Sequence, residues 1–389
     1  MHSFQKTGGS HRQAKTCTSA SPAVSGYRSG YRSVLVAAAV CLIVALSTSA
    51  PLEAEVPSFT VGWSAYAGWN PYFYMQKSGI LKKWADKYGI AIKVQRFDYA
   101  ASVDSFVAKN IDACTMTNME ALDMPAASGV DTTAILMGDY SNGNDAVLTR
   151  NGIGFDKIGG KKVMLVQKTV SEYLLERAMV LNGQQSKLSS LRLINTSDSD
   201  IAPAFMNNAS NEVVVTWKPL VSQILGDQGV HSIFDSSKIP GEILDLLVVQ
   251  TSVLNRPDGS GEKFAKAMAG AWYETMQRLT SGGPQQAEAL KISAGASGDT
   301  VDSYREQLKT TALFSTPQAA VEFTTSPTLK QKMELVRQFC FTHGLLGKGI
   351  KSVDDVAITY PDSSVQGRKD RVRLRFDVKY MQAAMQGKL

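Results

Sequence analysis

The sequence predicts an α/β fold of two lobes, each a mainly parallel sheet flanked by helices. β-rich runs alternate with helical stretches over residues 59–250, and this βαβ order is typical of parallel sheets. The runs supply enough strands for two sheets. The 335 residues that follow position 54 are also too many for one ordinary hydrophobic core. We therefore expect two domains or two lobes.

The first 54 residues predict a removable signal peptide. Five basic side chains and no acidic one occupy residues 1–32, and an apolar run follows at 34–46. That run is shorter than the roughly 20 residues that span a bilayer, and small residues lead from it to a cleavage point after Ala54. Lipidation at Cys41 is the alternative, but this cysteine lies inside the apolar run. We expect export to the periplasm and a folded chain that begins near Glu55.

Composition argues against several classes of protein. Without residues 1–54 the chain has 36 basic and 34 acidic side chains, so it lacks the basic excess of a nucleic-acid-binding protein. Cys114 and Cys340 remain, without the spacing of a zinc site or a redox motif. We expect two separate buried thiols, with a single bridge between them as the alternative. No metal and no cofactor is predicted.

The individual elements follow from periodicity and from end signals. Strands are predicted at 59–62, 91–97, 113–116, 133–137, 147–149, 162–166, 192–194, 213–216 and 246–250. Helices are predicted at 72–88, 101–109, 170–181, 262–279, 285–293, 300–311, 317–323 and 327–343. The helix at 170–181 is the best defined, because Thr169 and Glu172 have capping-box spacing and Gly183 can end it. Basic and apolar residues alternate over 371–376, which predicts a strand with an exposed face.

Motifs for enzymatic catalysis are absent from the sequence. It contains no phosphate-binding P-loop, no nucleophile elbow and no zinc-protease motif. His231 and His343 are the histidines beyond the leader, and both lie in segments that we interpret as a loop and a helix end. We therefore expect a non-enzymatic protein.

Aromatic and acidic residues follow several of the predicted strands, at the sheet edge where open α/β sheets bind ligands. Packing over the lobe and a wall of a binding cleft both account for the rings; pockets are enriched in such rings. Capping or surface pairing and ligand binding both account for the carboxylates. The candidate ligand-binding residues are Trp63, Tyr66, Trp69, Asn118, Glu120, Asp139, Ser141, Asp145, Ser171, Glu172 and Trp217.

Four segments carry a family resemblance: NPYFYM at 70–75, GILKK at 79–83, GKKV at 160–163 and VTWKP at 215–219. Their order, over about residues 58–385, resembles the periplasmic binding proteins of nitrate, sulfonate and taurine importers. Within that family the chain is similar to the branch encoded beside urea carboxylase, an enzyme associated with guanidine breakdown.

The resemblance implies the type II periplasmic-binding-protein fold. Lobe 1 would comprise residues 55–148 and 246–389 with the C-terminal helices, and lobe 2 residues 149–245. Crossover strands would join the lobes, and a small solute would bind in the cleft between them. A monomer would then deliver the solute to an ABC permease in the membrane, which a cytoplasmic ATPase drives.

The charges of the candidate site depart from what this family's anionic ligands require. Its segments contain one basic residue, Lys218, against Glu120, Asp139, Asp145 and Glu172. Aromatic rings beside carboxylates suit a planar cation instead, through cation–π attraction and paired N–H bonds. We therefore expect guanidinium, urea or a related nitrogen-rich solute. A sulfonate, taurine or nitrate is the alternative ligand. An enzyme similar to the thiamine-pyrimidine synthases is the alternative class, and it would need a reactive histidine or lysine near the cleft.

Overall fold

The structure is a computed structural model that describes residues 55–389, so the predicted signal peptide and Cys41 lie outside the described residues. Residues 56–389 form one compact unit. The strands are β1 Ser58–Trp63, β2 Ala91–Arg96, β3 Ala113–Thr117, β4 Thr132–Ser141, β5 Asp145–Thr149, β6 Lys162–Leu165, β7 Arg192–Asn195, β8 Val213–Trp217, β9 His231–Asp235, β10 Leu244–Gln250, β11 Thr311–Leu313, β12 Ala357–Thr359, β13 Val365–Gln366 and β14 Val372–Phe376.

Helices flank the strands of both sheets. They are α1 Asn70–Lys77, α2 Ile80–Lys87, α3 Tyr99–Val107, α4 Asn118–Ala121, α5 Val170–Leu181, α6 Ile201–Met206, α7 Leu220–Leu225, α8 Thr251–Leu254, α9 Ser260–Thr280, α10 Gly283–Ala296, α11 Val301–Lys309, α12 Pro317–Thr325, α13 Pro327–Thr342 and α14 Lys379–Met385. None of these helices has both the length and the apolar character that a membrane crossing requires.

Two mixed sheets define the two lobes. The first has the order β13-β12-β14-β4-β10-β3-β1-β2, with β11 added beside β4, and the second has the order β7-β6-β8-β5-β9. The pairs β1–β2, β1–β3, β6–β7 and β6–β8 are parallel, as the βαβ rhythm predicts. Strands β5 and β10, which begin where the chain changes lobe, pair antiparallel with their neighbours. The two-lobed α/β fold is confirmed, with antiparallel strands where the lobes join.

The chain crosses between the lobes twice, from β4 to β5 and from β9 to β10. Lobe 2 therefore contains β5, whereas the predicted boundary left residues 145–148 in lobe 1. All helices after β10 come later in the chain than the last strand of the second sheet. Several of them pack on the first sheet's helices, since Gly270 of α9 lies against the ring of Trp84 on α2.

Four local predictions need correction. The helix predicted at 72–88 is two helices, because Gly79 takes a left-handed conformation with φ of 79° between α1 and α2. Trp63 belongs to β1 rather than to a loop. His231 begins β9. The carboxylate of Glu172 accepts from the Lys168 N–H at 2.8 Å, one residue before the capping-box partner.

Other predictions hold. Helix α5 has the predicted bounds, and the side chain of Thr169 accepts from the Ser171 N–H at its start. Residues 372–376 form the predicted strand, which pairs in parallel with β4. Cys114 and Cys340 are both free and buried, so they are separate thiols.

Candidate functional site

A cavity lies between the two sheets, where β1, β3 and β8 end. This is the edge of an open α/β sheet at which ligands bind. Residues from both lobes surround the cavity, so its enclosure depends on contact between them. The lining residues are Tyr66, Trp69, Tyr99, Thr117, Asp145, Val170, Trp217, Ile243 and Asp245.

Four of the lining rings form a continuous aromatic wall. Tyr66 and Trp69 have centroids 5.2 Å apart, and Trp69 lies 5.3 Å from Tyr99. Tyr99 in turn meets Trp217 edge-on at 5.5 Å. Lobe 1 supplies three of these rings and lobe 2 supplies Trp217. The indole Nε1 of Trp217 donates to the Ala65 carbonyl at 3.2 Å, which fixes this ring across the cleft.

A pair of aspartates lies behind and beside this wall. Asp139 on β4 is opposite Asp245 on β10 in the antiparallel register, so the two carboxyl groups are neighbours. Two buried carboxyl groups this near to each other favour the protonated form of one of them. Asp139 also accepts from the Tyr66 hydroxyl at 3.1 Å, and Asn144 donates to that same hydroxyl at 3.2 Å. Burial raises the pKa of Asp139 to about 7 and raises the pKa of Asp245 well above its ordinary value.

Asp145 is the third carboxylate at the cavity, and it enters from lobe 2. Its side chain is buried, which raises its pKa to about 7, while a hydrogen bond from Ser141 opposes the shift. Ser141 also bonds to the hydroxyl of Ser236 at 2.7 Å, so it ties together the two segments that cross between the lobes. Ser141 therefore positions Asp145 at the cavity.

These carboxylates have no cationic partner in the described part of the chain. No lysine or arginine is among the causes of the raised pKa of Asp139 or Asp145, or among the largest causes for Asp245. The ammonium group of Lys218 instead donates to Thr310 at 2.8 Å. Since a buried carboxylate is costly without a counter-charge, the cavity favours either bound protons or a cationic ligand.

The size of the cavity restricts the ligand. Its empty volume is about 260 Å³, which includes some open solvent. A space of this size suits a compact solute of few non-hydrogen atoms.

A glycine allows the aspartate pair to lie where it does. A Cβ atom placed on Gly68 would overlap the Oδ2 atom of Asp139 and would lie 2.8 Å from Cε1 of Tyr66. The loop backbone therefore packs directly on the Asp139 carboxyl. Apart from Tyr66, residues 64–68 are all small. The close approach to Asp139 explains why the residue at position 68 is a glycine.

The structure brings together part of the predicted site. Tyr66, Trp69, Asp145 and Trp217 line the cavity, and Asp139 and Ser141 support it from behind. Ser171 lies beside the lining residue Val170 at the start of α5, and its hydroxyl is buried without a partner among the described residues.

Other predicted residues have different roles. The ring of Trp63 is in the core of lobe 1, 6.0 Å from the ring of Phe73. Asn118 bonds to the backbone of Glu242 and of Leu244, so it holds the returning segment in place. Glu172 is engaged locally, because its carboxylate accepts from the Lys168 N–H. These three residues do not line the cavity.

Glu120 is also occupied within the protein. One of its oxygens accepts from the hydroxyl of Thr117, and Oε1 accepts from the Val170 N–H at 2.7 Å. It is buried but is not among the lining residues. Its hydrogen-bonding capacity is directed at helix α5 rather than at the cavity.

Sequence reasoning missed Tyr99 and Asp245. Tyr99 follows β2 at the same sheet edge as the predicted clusters, so the rule that found those clusters could have found it. Asp245 lies at the start of the antiparallel strand β10, where the edge rule for parallel strands does not apply. Its register opposite Asp139 is a tertiary property.

Known proteins of similar structure include three binding proteins. The periplasmic aliphatic sulphonate binding protein SsuA of Escherichia coli superposes with a TM-score of 0.59 at 14% identity, over 75% of this chain and 94% of that one. The alkanesulfonate-binding protein SsuA of Xanthomonas axonopodis pv. citri, bound to MOPS, gives 0.61 at 13% identity, over 76% and 96%. The periplasmic nitrate-binding protein NrtA of Synechocystis PCC 6803 gives 0.52 at 12% identity, over 85% and 99%.

The chain has the periplasmic-binding-protein fold. No protein-family model and no curated protein sequence matches it, so the evidence for this fold is structural. In this fold the cavity described above occupies the cleft between the lobes. The identities are too low to carry a ligand from these proteins to this one, and the chemistry of the cleft must be argued from its own residues.

Proposed function

We propose that this protein is the solute-binding component of an ABC importer, and that its solute is a small nitrogen-rich molecule, guanidinium in the first place. It would be exported to the periplasm and would deliver the solute to a membrane permease with a cytoplasmic ATPase. The observation that carries the proposal is the set of buried carboxylates without a cationic partner, beside an aromatic wall.

Guanidinium matches this site in charge, shape and size. It stays protonated across the physiological range, so it can replace the protons that Asp139, Asp145 and Asp245 otherwise retain. Its planar fork of N–H donors suits bidentate carboxylate bonds. The neighbouring ring faces add cation–π attraction of about 0.5–2 kcal/mol. A compact one-carbon solute also agrees with the small free space.

Urea is the second candidate, and one observation favours it. The indole Nε1 of Trp69 is buried and has no acceptor among the described residues. Guanidinium offers this donor nothing, whereas the carbonyl oxygen of urea could accept from it. Urea would bind to the protonated aspartates without replacing their protons.

The anions bound by the proteins of similar structure fit this cleft poorly. A sulfonate or nitrate would face Asp145 and Asp245 without a basic side chain among the lining residues. An enzymatic role has no support from histidine. His231 bonds to Thr149, and His343 pairs with Glu176 at 2.9 Å. Neither is among the lining residues.

Calorimetric titration and thermal shift with guanidinium, urea, nitrate, taurine and a short alkanesulfonate test the proposal. At a ligand concentration 100 times its Kd, stabilisation of about 2.7 kcal/mol is expected for the true solute. A shift with taurine or nitrate, and none with guanidinium or urea, would overturn the assignment. Chemical conversion of any of these solutes would contradict a binding role.

A further inference from the structure

Two carboxylates outside the cavity lining bridge the lobes in a reciprocal way. Asp198 lies in the loop between β7 and α6 of lobe 2, and both of its oxygens accept from the Tyr99 N–H of lobe 1, at 3.1 and 3.3 Å. Glu120 lies on α4 of lobe 1, and it accepts from the Val170 N–H of lobe 2 at 2.7 Å. Each lobe thus caps the first residue of a helix on the other lobe.

The helix in lobe 1 receives its side-chain cap from outside. The residue before α3 is Asp98, yet its side chain makes no capping bond to this helix. Asp98 instead accepts from the hydroxyl of Ser199 at 3.0 Å, which is another bond across the cleft. Because a helix N-terminus carries unpaired N–H groups and partial positive charge, a carboxylate from the facing lobe is well placed to bind there.

Both capped residues also form the cavity wall. Tyr99 and Val170 line the cavity, whereas Glu120 and Asp198 do not. Opening the cleft would separate each carboxylate from its N–H and would remove two lining residues from their positions. The two bonds therefore depend on the same contact between the lobes that encloses the cavity.

We infer that Glu120 and Asp198 form a reciprocal latch that holds the lobes closed over the ligand. They are positioning residues, because each acts on the cavity through the helix that it caps. This assignment changes the interpretation of Glu120 from a counter-charge for the ligand to an element of closure. The latch itself does not depend on which solute binds, although its effect on affinity rests on the proposed binding function.

The lobe-to-lobe distance tests the latch without a ligand. Spin labels on Asn110→Cys in lobe 1 and Asn207→Cys in lobe 2 report this distance in the chain from Glu55 onward. Both positions are exposed, and Cys114 and Cys340 are buried. We expect Asp198→Ala and Glu120→Gln to move the distribution toward longer distances. Asp200→Asn is the matched control, since Asp200 bonds only within the same loop, to Ser197.

The second measurement is the Kd of guanidinium and of urea, each titrated up to millimolar concentration. We expect Asp198→Ala to raise the Kd of whichever solute binds about tenfold, mainly through faster dissociation. Glu120→Gln should weaken a cationic and a neutral solute by the same factor. A loss confined to the cation would make Glu120 a counter-charge and would overturn its part of the latch.

The outcomes separate the two proposals. If Asp198→Ala opens the protein while no tested solute binds, the latch stands and the proposed solute is wrong. If guanidinium binds to Asp198→Ala with unchanged affinity and the distance distribution is unchanged, the latch is wrong and the binding function stands. Should Glu120→Gln fail to fold, hydrogen exchange at the Tyr99 amide in Asp198→Ala decides, because alanine removes the acceptor. Exchange as slow as in the parent protein would refute the latch.

Discussion

At the scale of single residues, the cleft is defined by acidic side chains whose charge the protein leaves uncompensated. Asp245 lines the cavity opposite Asp139, and burial together with that neighbouring carboxyl group raises its pKa well above the ordinary value. Asp245 therefore favours its protonated form. A cationic solute must displace this proton, whereas a neutral solute can bind beside it. The protonation of this pair therefore decides which nitrogen-rich solute the site prefers.

Asp245→Asn tests this selection. Asparagine resembles the protonated carboxyl and cannot become a counter-charge, so we expect guanidinium affinity to fall about 30- to 100-fold, at the lower end of the range for losing one partner of a buried charge pair. Urea affinity should change less than about threefold. Calorimetric titration of both solutes measures the difference, and Asp86→Asn, on an exposed pair with Lys82, is the control. An equal loss of affinity for both solutes would show that Asp245 does not select the cationic solute over the neutral one.

At the scale of secondary structure elements, close helix contacts hold lobe 1 in shape behind the cleft. The ring of Trp84 on α2 lies against the backbone of α9 at Gly270. An added Cβ there would lie 2.4–2.5 Å from three ring atoms, well inside ordinary contact. A glycine in the middle of a helix normally costs stability, and here it permits the two helices to approach.

Gly270→Ala should therefore lower the stability of the protein, although alanine has the higher helix propensity. We expect it to destabilise the protein by about 1–3 kcal/mol, as overpacking of a filled core does. Gly295→Ala is the matched control on α10, because nothing lies within 4 Å of its Cβ position. It should be neutral or stabilising by up to about 1 kcal/mol. Urea unfolding of both variants measures the two signs, and stabilisation of both would contradict the packing argument.

At the scale of the whole molecule, the cleft couples stability to pH. Burial raises the pKa of both Asp139 and Asp145 to about 7, against about 4 for an unfolded aspartate. The folded state therefore keeps protons that the unfolded chain has lost. Stability that is fully present below about pH 4 is lost as the pH rises through about 7.

The melting temperature of the ligand-free protein should consequently fall between about pH 5 and pH 8. Guanidinium should remove most of this fall, because it stabilises the ionised carboxylates. Below about pH 7, its Kd should decrease by up to about tenfold for each unit by which the pH rises, for each proton displaced. Urea should show no such improvement. A melting temperature that rises over this range would contradict the assignment.

Other groups contribute in the same direction, because burial raises the pKa of Asp123 and of Glu120 and raises that of Asp198 to about 6. The pKa of His343 is raised, mainly by its hydrogen bond with Glu176, so its stabilisation is also lost as the pH rises. His343→Gln removes this contribution. The slope that remains in this variant should report the buried carboxyl groups, those of the cleft among them.

The sequence by itself determined the two-lobed α/β fold, the bounds of α5, and the aromatic and acidic character of the site. Those properties follow from periodicity, capping and strand ends, which are local. Only the tertiary structure decided that Asp245 lies opposite Asp139, that Trp217 closes the wall from lobe 2, and that Glu120 caps a helix across the cleft. Each of these depends on strand register or on contact between lobes, and joins residues at least 50 positions apart.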